Sequence, residues 1–260
     1  MGFIVHDAAP VFAAPVRRTL DPAAAPANAP QRTRDGSRRP RRPSTSVDAQ
    51  QAQHAAIVAL INPRGFACSG VLVHARAVLT ARHCRGVERA AFGPSVSHVQ
   101  AQRRVVQAIG APNGAIDLAL LVLDREAPVA PSRIRFAADP PARVRVVGFG
   151  CIDADCRSGA GSRSYFDARL RRRDWGCSRE VAARIGCMPE HEMVLTRAQV
   201  ADTCVGDSGG AVLARDGSGW AVVAITSRTV AGAVLPCGDG GVYVRLSAHQ
   251  RWIQKELAKL

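Results

Sequence analysis

The sequence predicts an all-β protein closed by a single C-terminal helix. From about residue 54 onward, short apolar runs alternate with clusters of Gly, Pro, Asn, Asp or Arg, the pattern of short strands joined by turns. No stretch approaches the ~20 consecutive apolar residues of a membrane-spanning helix, which excludes an integral membrane protein of that kind. At 260 residues, 47% hydrophobic and 22% charged, the chain has the length and composition of one large or two small globular domains.

Residues 1–46 differ in texture from the rest. They are rich in Ala and Pro and end in the basic run Arg38-Arg39-Pro40-Arg41-Arg42-Pro43. Repeated prolines forbid a long helix and favour extended or disordered chain, so this segment reads as an N-terminal arm ahead of a domain over 47–260. The strand candidates within that domain are Ala55–Ile61, Gly70–Val73, Val78–Thr80, Val105–Ile109, Leu118–Leu123, Val144–Phe149, Ala211–Leu213, Trp220–Thr226 and Val242–Leu246. After them, Ser247-Ala248-His249-Gln250 has the pattern of a capping box. Trp252, Ile253, Leu257 and Leu260 then repeat at helical spacing, which predicts the closing helix.

The formal charge is +14, and all but Lys255 and Lys259 of the 35 basic residues are arginines. With abundant Ala, Gly and Pro, this bias reads as a GC-rich coding sequence rather than a nucleic-acid surface. The clusters Arg38–Arg42 and Arg169–Arg173 are not interleaved with aromatic residues, so no specific nucleic acid is expected as a partner. Eight cysteines stand at 68, 84, 151, 156, 177, 187, 204 and 237, with no C-x-x-C pair. An even count without metal-ligand spacing predicts four disulfides and an oxidising compartment. Cys151–Cys156 and Cys177–Cys187 are paired by proximity. Met1–Val5 is apolar, but His6 and Asp7 interrupt it before an export signal of usual length.

Three segments carry chemistry: Leu79-Thr80-Ala81-Arg82-His83-Cys84, Ile116-Asp117-Leu118-Ala119-Leu120-Leu121, and Asp202-Thr203-Cys204-Val205-Gly206-Asp207-Ser208-Gly209-Gly210. Each alone has a structural explanation, as a turn acid, a strand end or a tight glycine loop. Together, in this order, they resemble the T-A-A-H-C, D-I-A-L-L and G-D-S-G-G-P motifs of the trypsin/chymotrypsin-like serine peptidases. The resemblance covers about residues 54–257, with Arg82 in place of an alanine and Ala211 in place of a proline.

A serine hydroxyl needs a base within hydrogen-bond reach to act as a nucleophile near neutral pH. The resemblance implies Ser208 as nucleophile, His83 as general base and then acid, and Asp117 as the group that orients the imidazole. It implies the backbone N–H groups of Gly206 and Ser208 as oxyanion donors. It also implies two six-stranded antiparallel Greek-key barrels with the site between them, and disulfides Cys68–Cys84 and Cys204–Cys237. Asp202 falls at the floor of the implied specificity pocket, with Ser227, Thr229 and Gly241 along its walls. A carboxylate there favours Arg or Lys before the scissile bond. Arg228 and Thr229 replace the usual Trp and Gly, so Arg228 is expected to shield or repel a basic substrate and Thr229 to narrow the mouth.

The family's Ile-Val-Gly-Gly activation start has no counterpart near Arg41–Arg42–Pro43. In the family the freed terminal ammonium pairs with the residue matching Asp207. Its absence keeps open a second expectation, a silent homologue or locked zymogen that binds without cutting. Neither metal nor organic cofactor is required. Expected partners are protein or peptide substrates and protein inhibitors, with no membrane association. The chain is expected to be a monomer, secreted or periplasmic.

Overall fold

The computed structural model describes residues 54–139, 141–152, 156–170, 175–196, 203–233, 237 and 239–260, together with the backbone of Arg18–Thr19. That dipeptide, β1, is the only part of the arm described; it lies antiparallel to a later strand, Arg18 opposite Tyr165. Most of residues 1–46, and Asp202, lie outside the described residues.

The first half is a closed six-stranded barrel. Its strands are β2 (Ile57–Asn62), β3 (Gly65–His74), β4 (Ala77–Thr80), β5 (Arg89–Phe92), β6 (Ala101–Gly110) and β7 (Ala119–Leu123). They close in the order β2-β3-β4-β7-β6-β5. Val58, Leu60, Leu72, Val78, Phe92, Leu121 and Leu123 fill its interior. Fully burying each large side chain contributes about 1.5–3 kcal/mol, so this small interior is enough to fix the barrel.

The second half is one sheet built on six antiparallel strands. These are β9 (Arg143–Gly148), β10 (Ser164–Arg169), β11 (Glu192–Thr196), β12 (Ala211–Asp216), β13 (Gly219–Thr229) and β14 (Gly240–Arg245), in the order β10-β9-β12-β13-β14-β11. β1 extends the β10 edge, and the short β8 (Arg133–Ile134) pairs parallel with β13. These additions make eight strands, and no ladder joins β10 to β11 among the described residues. The expected two-barrel architecture is therefore present with its second member as a half-barrel. Val146, Phe166, Met193, Val212 and Tyr243 pack inside it. Ile57, Leu79, Leu120, Phe149, Leu213, Ile225 and Ile253 form a shared cluster that joins the two halves.

The helices differ from expectation in two ways. A helix α1 (Arg179–Ile185) stands inside the loop closed by Cys177–Cys187. Ser178 caps it by accepting a hydrogen bond from Val181 N at 3.2 Å, and Gly186 ends it in the left-handed region at φ 69°. The closing helix α2 (Gln250–Leu257) is present, with Ile253 buried and Trp252, Leu257 and Leu260 against the core. Its capping box does not form. Leu246–His249 is a 3₁₀ turn, which puts Ser247 inside that turn rather than at the start of α2, and no side chain caps the helix.

All eight cysteines pair as expected: Cys68–Cys84, Cys151–Cys156, Cys177–Cys187 and Cys204–Cys237. In the chain-entropy picture, a bridge closing a loop of about 15 residues contributes roughly 3 kcal/mol.

Candidate active site

The site lies where the barrels meet, and Ser69 is the stitch between them. This residue of β3 follows the bridged Cys68. Its hydroxyl donates to Gly206 O at 2.8 Å and accepts from Phe149 N at 2.9 Å. Its amide donates to Ser208 O at 2.8 Å, and its carbonyl accepts from Thr80 Oγ1 at 2.8 Å. The fully buried hydroxyl and the amide of Ser69 thereby hold the 204–210 loop against the first barrel. Gly209 makes the close approach feasible. A Cβ there would strike Thr80 Oγ1 and Ser69 O, and its φ of 81° is a conformation that favours glycine.

His83 follows β4, and Asp117 precedes β7, the strand paired with β4. The two are joined twice. His83 Nδ1 lies 2.8 Å from Asp117 Oδ2, and His83 N donates to Asp117 Oδ1 at 2.9 Å. Arg82, in place of the usual alanine, ties the two loops together: its Nη1 donates to Ala111 O at 2.7 Å. Ser227 Oγ donates to Asp117 Oδ2 at 2.6 Å. Burial by itself would raise the Asp117 carboxyl. The bonds from the His83 side chain, Ser227 and the His83 backbone outweigh it and hold the group down at about 2.

Ser208 shares one cleft of about 580 Å³ with His83, Gly206, Thr203, Ser227, Arg228 and Thr229. Its hydroxyl donates to Ser227 O at 3.5 Å, a long bond that leaves it free to turn. In its loop, Asp207 N donates to Cys204 O, Gly209 N to Thr226 O and Gly210 N to Asp207 O. Among the described residues, the amides of Gly206 and Ser208 donate to no acceptor. Gly206 takes φ 94°, and a Cβ there would meet Phe66 and Gly150. The Asp207 carboxylate is fully buried, accepting from Gly150 N at 2.9 Å and Cys204 N at 2.8 Å. A larger cavity of about 770 Å³ beside α2 is lined by His191, Ser247 and His249 but by none of His83, Asp117 and Ser208.

Of the other expected pocket residues, Thr229 is exposed on the cleft wall, and the buried Gly241 is its partner across the β13–β14 ladder. A Cβ on Gly241 would crowd Tyr243 Oη and Thr203 Oγ1. Arg228, expected to shield or repel a basic substrate, is ion-paired. Its Nη1 donates to Glu192 Oε1 at 2.6 Å, and its Nη2 donates to Glu192 Oε2 at 2.9 Å and to Gly186 O at 2.6 Å. Glu192 is fully buried, and its Oε2 also accepts from Met188 N at 2.8 Å.

A sequence model of the trypsin family matches residues 45–253. The chain belongs to the trypsin family. A snake venom serine protease from Bothrops jararaca is 26% identical over 231 residues, covering 79% of this chain and 83% of its own. The structure of neuropsin, a serine protease expressed in the limbic system of mouse brain, superposes with a TM-score of 0.64 at 23% identity. That match covers 80% of this chain and 96% of neuropsin, and establishes the likeness of fold. The reaction class is that of a serine-type endopeptidase, acting on proteins or peptides. Among the described residues no helix is long and apolar enough to cross a membrane.

Sequence reasoning missed two features behind this cleft: Ser69, and Glu192 as the partner of Arg228. A serine next to a bridged cysteine gives no local signal, and Glu192 is 36 residues from Arg228.

Proposed function

We propose that the chain is an active endopeptidase that cleaves after Arg or Lys through Ser208, His83 and Asp117. The observation that carries this reading is the pair of hydrogen bonds between His83 and Asp117 beside a cleft that His83 shares with Ser208. One of those bonds leaves Nε2 as the ring nitrogen open toward a nucleophile. Asp117, ionised over the whole neutral range, keeps the imidazole in that tautomer and stabilises the imidazolium that forms. Ser208 attacks the scissile carbonyl, giving its proton to His83 Nε2. The tetrahedral oxyanion takes hydrogen bonds from the unpartnered amides of Gly206 and Ser208. Collapse to the acyl-enzyme passes the proton to the leaving amine, and water repeats the sequence to release the acid.

Basic specificity in this reading comes from Asp202, six residues before Ser208 in the sequence, where the family motif carries the acid of the specificity pocket. The Arg228 guanidinium does not oppose it, since Glu192 neutralises that charge. Secretion or a periplasmic location, inhibition by proteins and a monomeric state belong to the same reading, supported by four disulfides and the family.

The second reading, a locked zymogen or silent homologue, is favoured by the missing activation start and by a Ser208 hydroxyl turned to Ser227 O. The amides that hold Asp207 count against it, because they order the same loop. Hydrolysis of arginyl peptide anilides decides between them. Ser208→Ala is expected to lower kcat by roughly 10⁶, the loss another serine peptidase suffers. Substantial hydrolysis surviving that change sinks the proposal, and an inert wild type supports the silent reading.

A further inference from the structure

We infer that Arg228, clamped by Glu192, is a positioning residue for the Asp117–His83 pair and acts through the Ser227 hydroxyl. This rests on the triad reading above. The Ser227 hydroxyl has one proton and two lone pairs. At 2.6 Å from Asp117 Oδ2, an ionised carboxylate that only accepts, that proton is committed to Asp117. Arg228 Nη1 lies 3.3 Å from the same oxygen, and a guanidinium only donates. The arginine therefore fills a lone pair of Ser227 and leaves its proton one direction to take.

The arginine is in turn fixed. Its four terminal N–H groups go to Glu192 Oε1, Glu192 Oε2, Gly186 O and Ser227 Oγ. Glu192 is fully buried on β11, and its second oxygen is also bonded to Met188 N. A planar fork on a buried carboxylate holds geometry far better than an exposed ion pair. The backbone makes the arrangement attainable. In a regular strand, successive side chains point to opposite faces, but the β13–β14 register shifts between Thr226 and Arg228. That bulge re-aims Ser227 and Arg228 so that both serve the site. The result is a continuous polar chain, Glu192–Arg228–Ser227–Asp117–His83, in which the Ser227 proton has a single direction. Because Glu192 and Arg228 cancel, the chain sets direction without adding net charge to the cleft.

The test is a double-mutant cycle. Arg228→Met alone would strand a buried carboxylate, so Glu192→Gln accompanies it. The probe is the acylation burst with p-nitrophenyl acetate, whose acetyl group is too small to reach the arginine. In the Ser227 background the paired change is expected to lower the acylation rate about tenfold with KM within twofold, about the weight of one hydrogen bond. In a Ser227→Ala background the same pair is expected to change the rate less than twofold. Equal losses in both backgrounds, or no loss in the first, overturn the inference. A cooperative thermal transition in each variant separates these outcomes from misfolding. Failure of the triad reading would appear differently: Ser208→Ala would then retain the burst, and both claims would fall together.

Discussion

Ser69→Ala is the sharpest structural perturbation available, because one oxygen atom serves two buried backbone groups. Removing it leaves Gly206 O and Phe149 N without the partners they hold at 2.8 and 2.9 Å. Each buried group left unsatisfied costs about 1–3 kcal/mol, so the change should destabilise the protein by about 2–4 kcal/mol after local relaxation. The second consequence is catalytic. In the proposed mechanism the Gly206 amide is an oxyanion donor, so a loosened Gly206 carbonyl is expected to misdirect it. Complete removal of such a donor costs about 10²–10³ in kcat, and misdirection is expected to cost at least about tenfold. Denaturant unfolding without reductant gives the first quantity, and initial rates on a peptide anilide give the second. A stability loss under about 0.5 kcal/mol with unchanged kcat would refute the view that Ser69 holds the loop.

Other expectations concern charge. Asp117→Asn should lower kcat by about 10⁴ through the wrong imidazole tautomer, as in another serine peptidase. Because Asp117 is depressed to about 2 from 3.8, its stabilising share is present above pH ~3.8 and lost as pH falls toward 2; unfolding curves of the Asn variant should lack that component. Burial, with His191 and Arg245 beside it, holds His249 at about 4 instead of 6.5. The unfolded chain takes up a proton that the folded chain refuses, so stability should be full above pH 6.5 and fall between 6.5 and 4. The loss should reach about 2 kcal/mol once partial solvent exposure is allowed for, and His249→Gln should flatten it. Asp202→Ser should erase a preference for Arg or Lys over Phe of at least about a hundredfold in kcat/KM; a wild-type preference for small neutral residues would instead make Thr229 the governing wall.

Much of this molecule was legible because its signals are local. Long apolar runs such as Leu118–Leu123 and Trp220–Thr226 became strands, and three contiguous motifs contained His83, Asp117 and Ser208. What escaped reading depends on partners far along the chain. Arg89–Phe92 and Ser164–Arg169 form strands through their neighbours, since neither is apolar enough to announce itself. The helix at Arg179–Ile185 did have its signals, a Ser178 cap and a Gly186 stop, but they sat in a short segment between two cysteines. The Ser247 box misled because a 3₁₀ turn intervened before the helix. Glu192 and Arg228 meet only when β11 and β13 flank β14.

The central claim is that Ser208 is a nucleophile activated by His83. Labelling the intact, non-reduced protein with a fluorophosphonate, then mapping the adduct by mass spectrometry, tests it directly. The account predicts one adduct per chain on the peptide containing Ser208, absent in Ser208→Ala and slowed by orders of magnitude in His83→Ala. Labelling at another residue, no labelling of folded wild-type protein, or equal labelling of the His83 variant would contradict it.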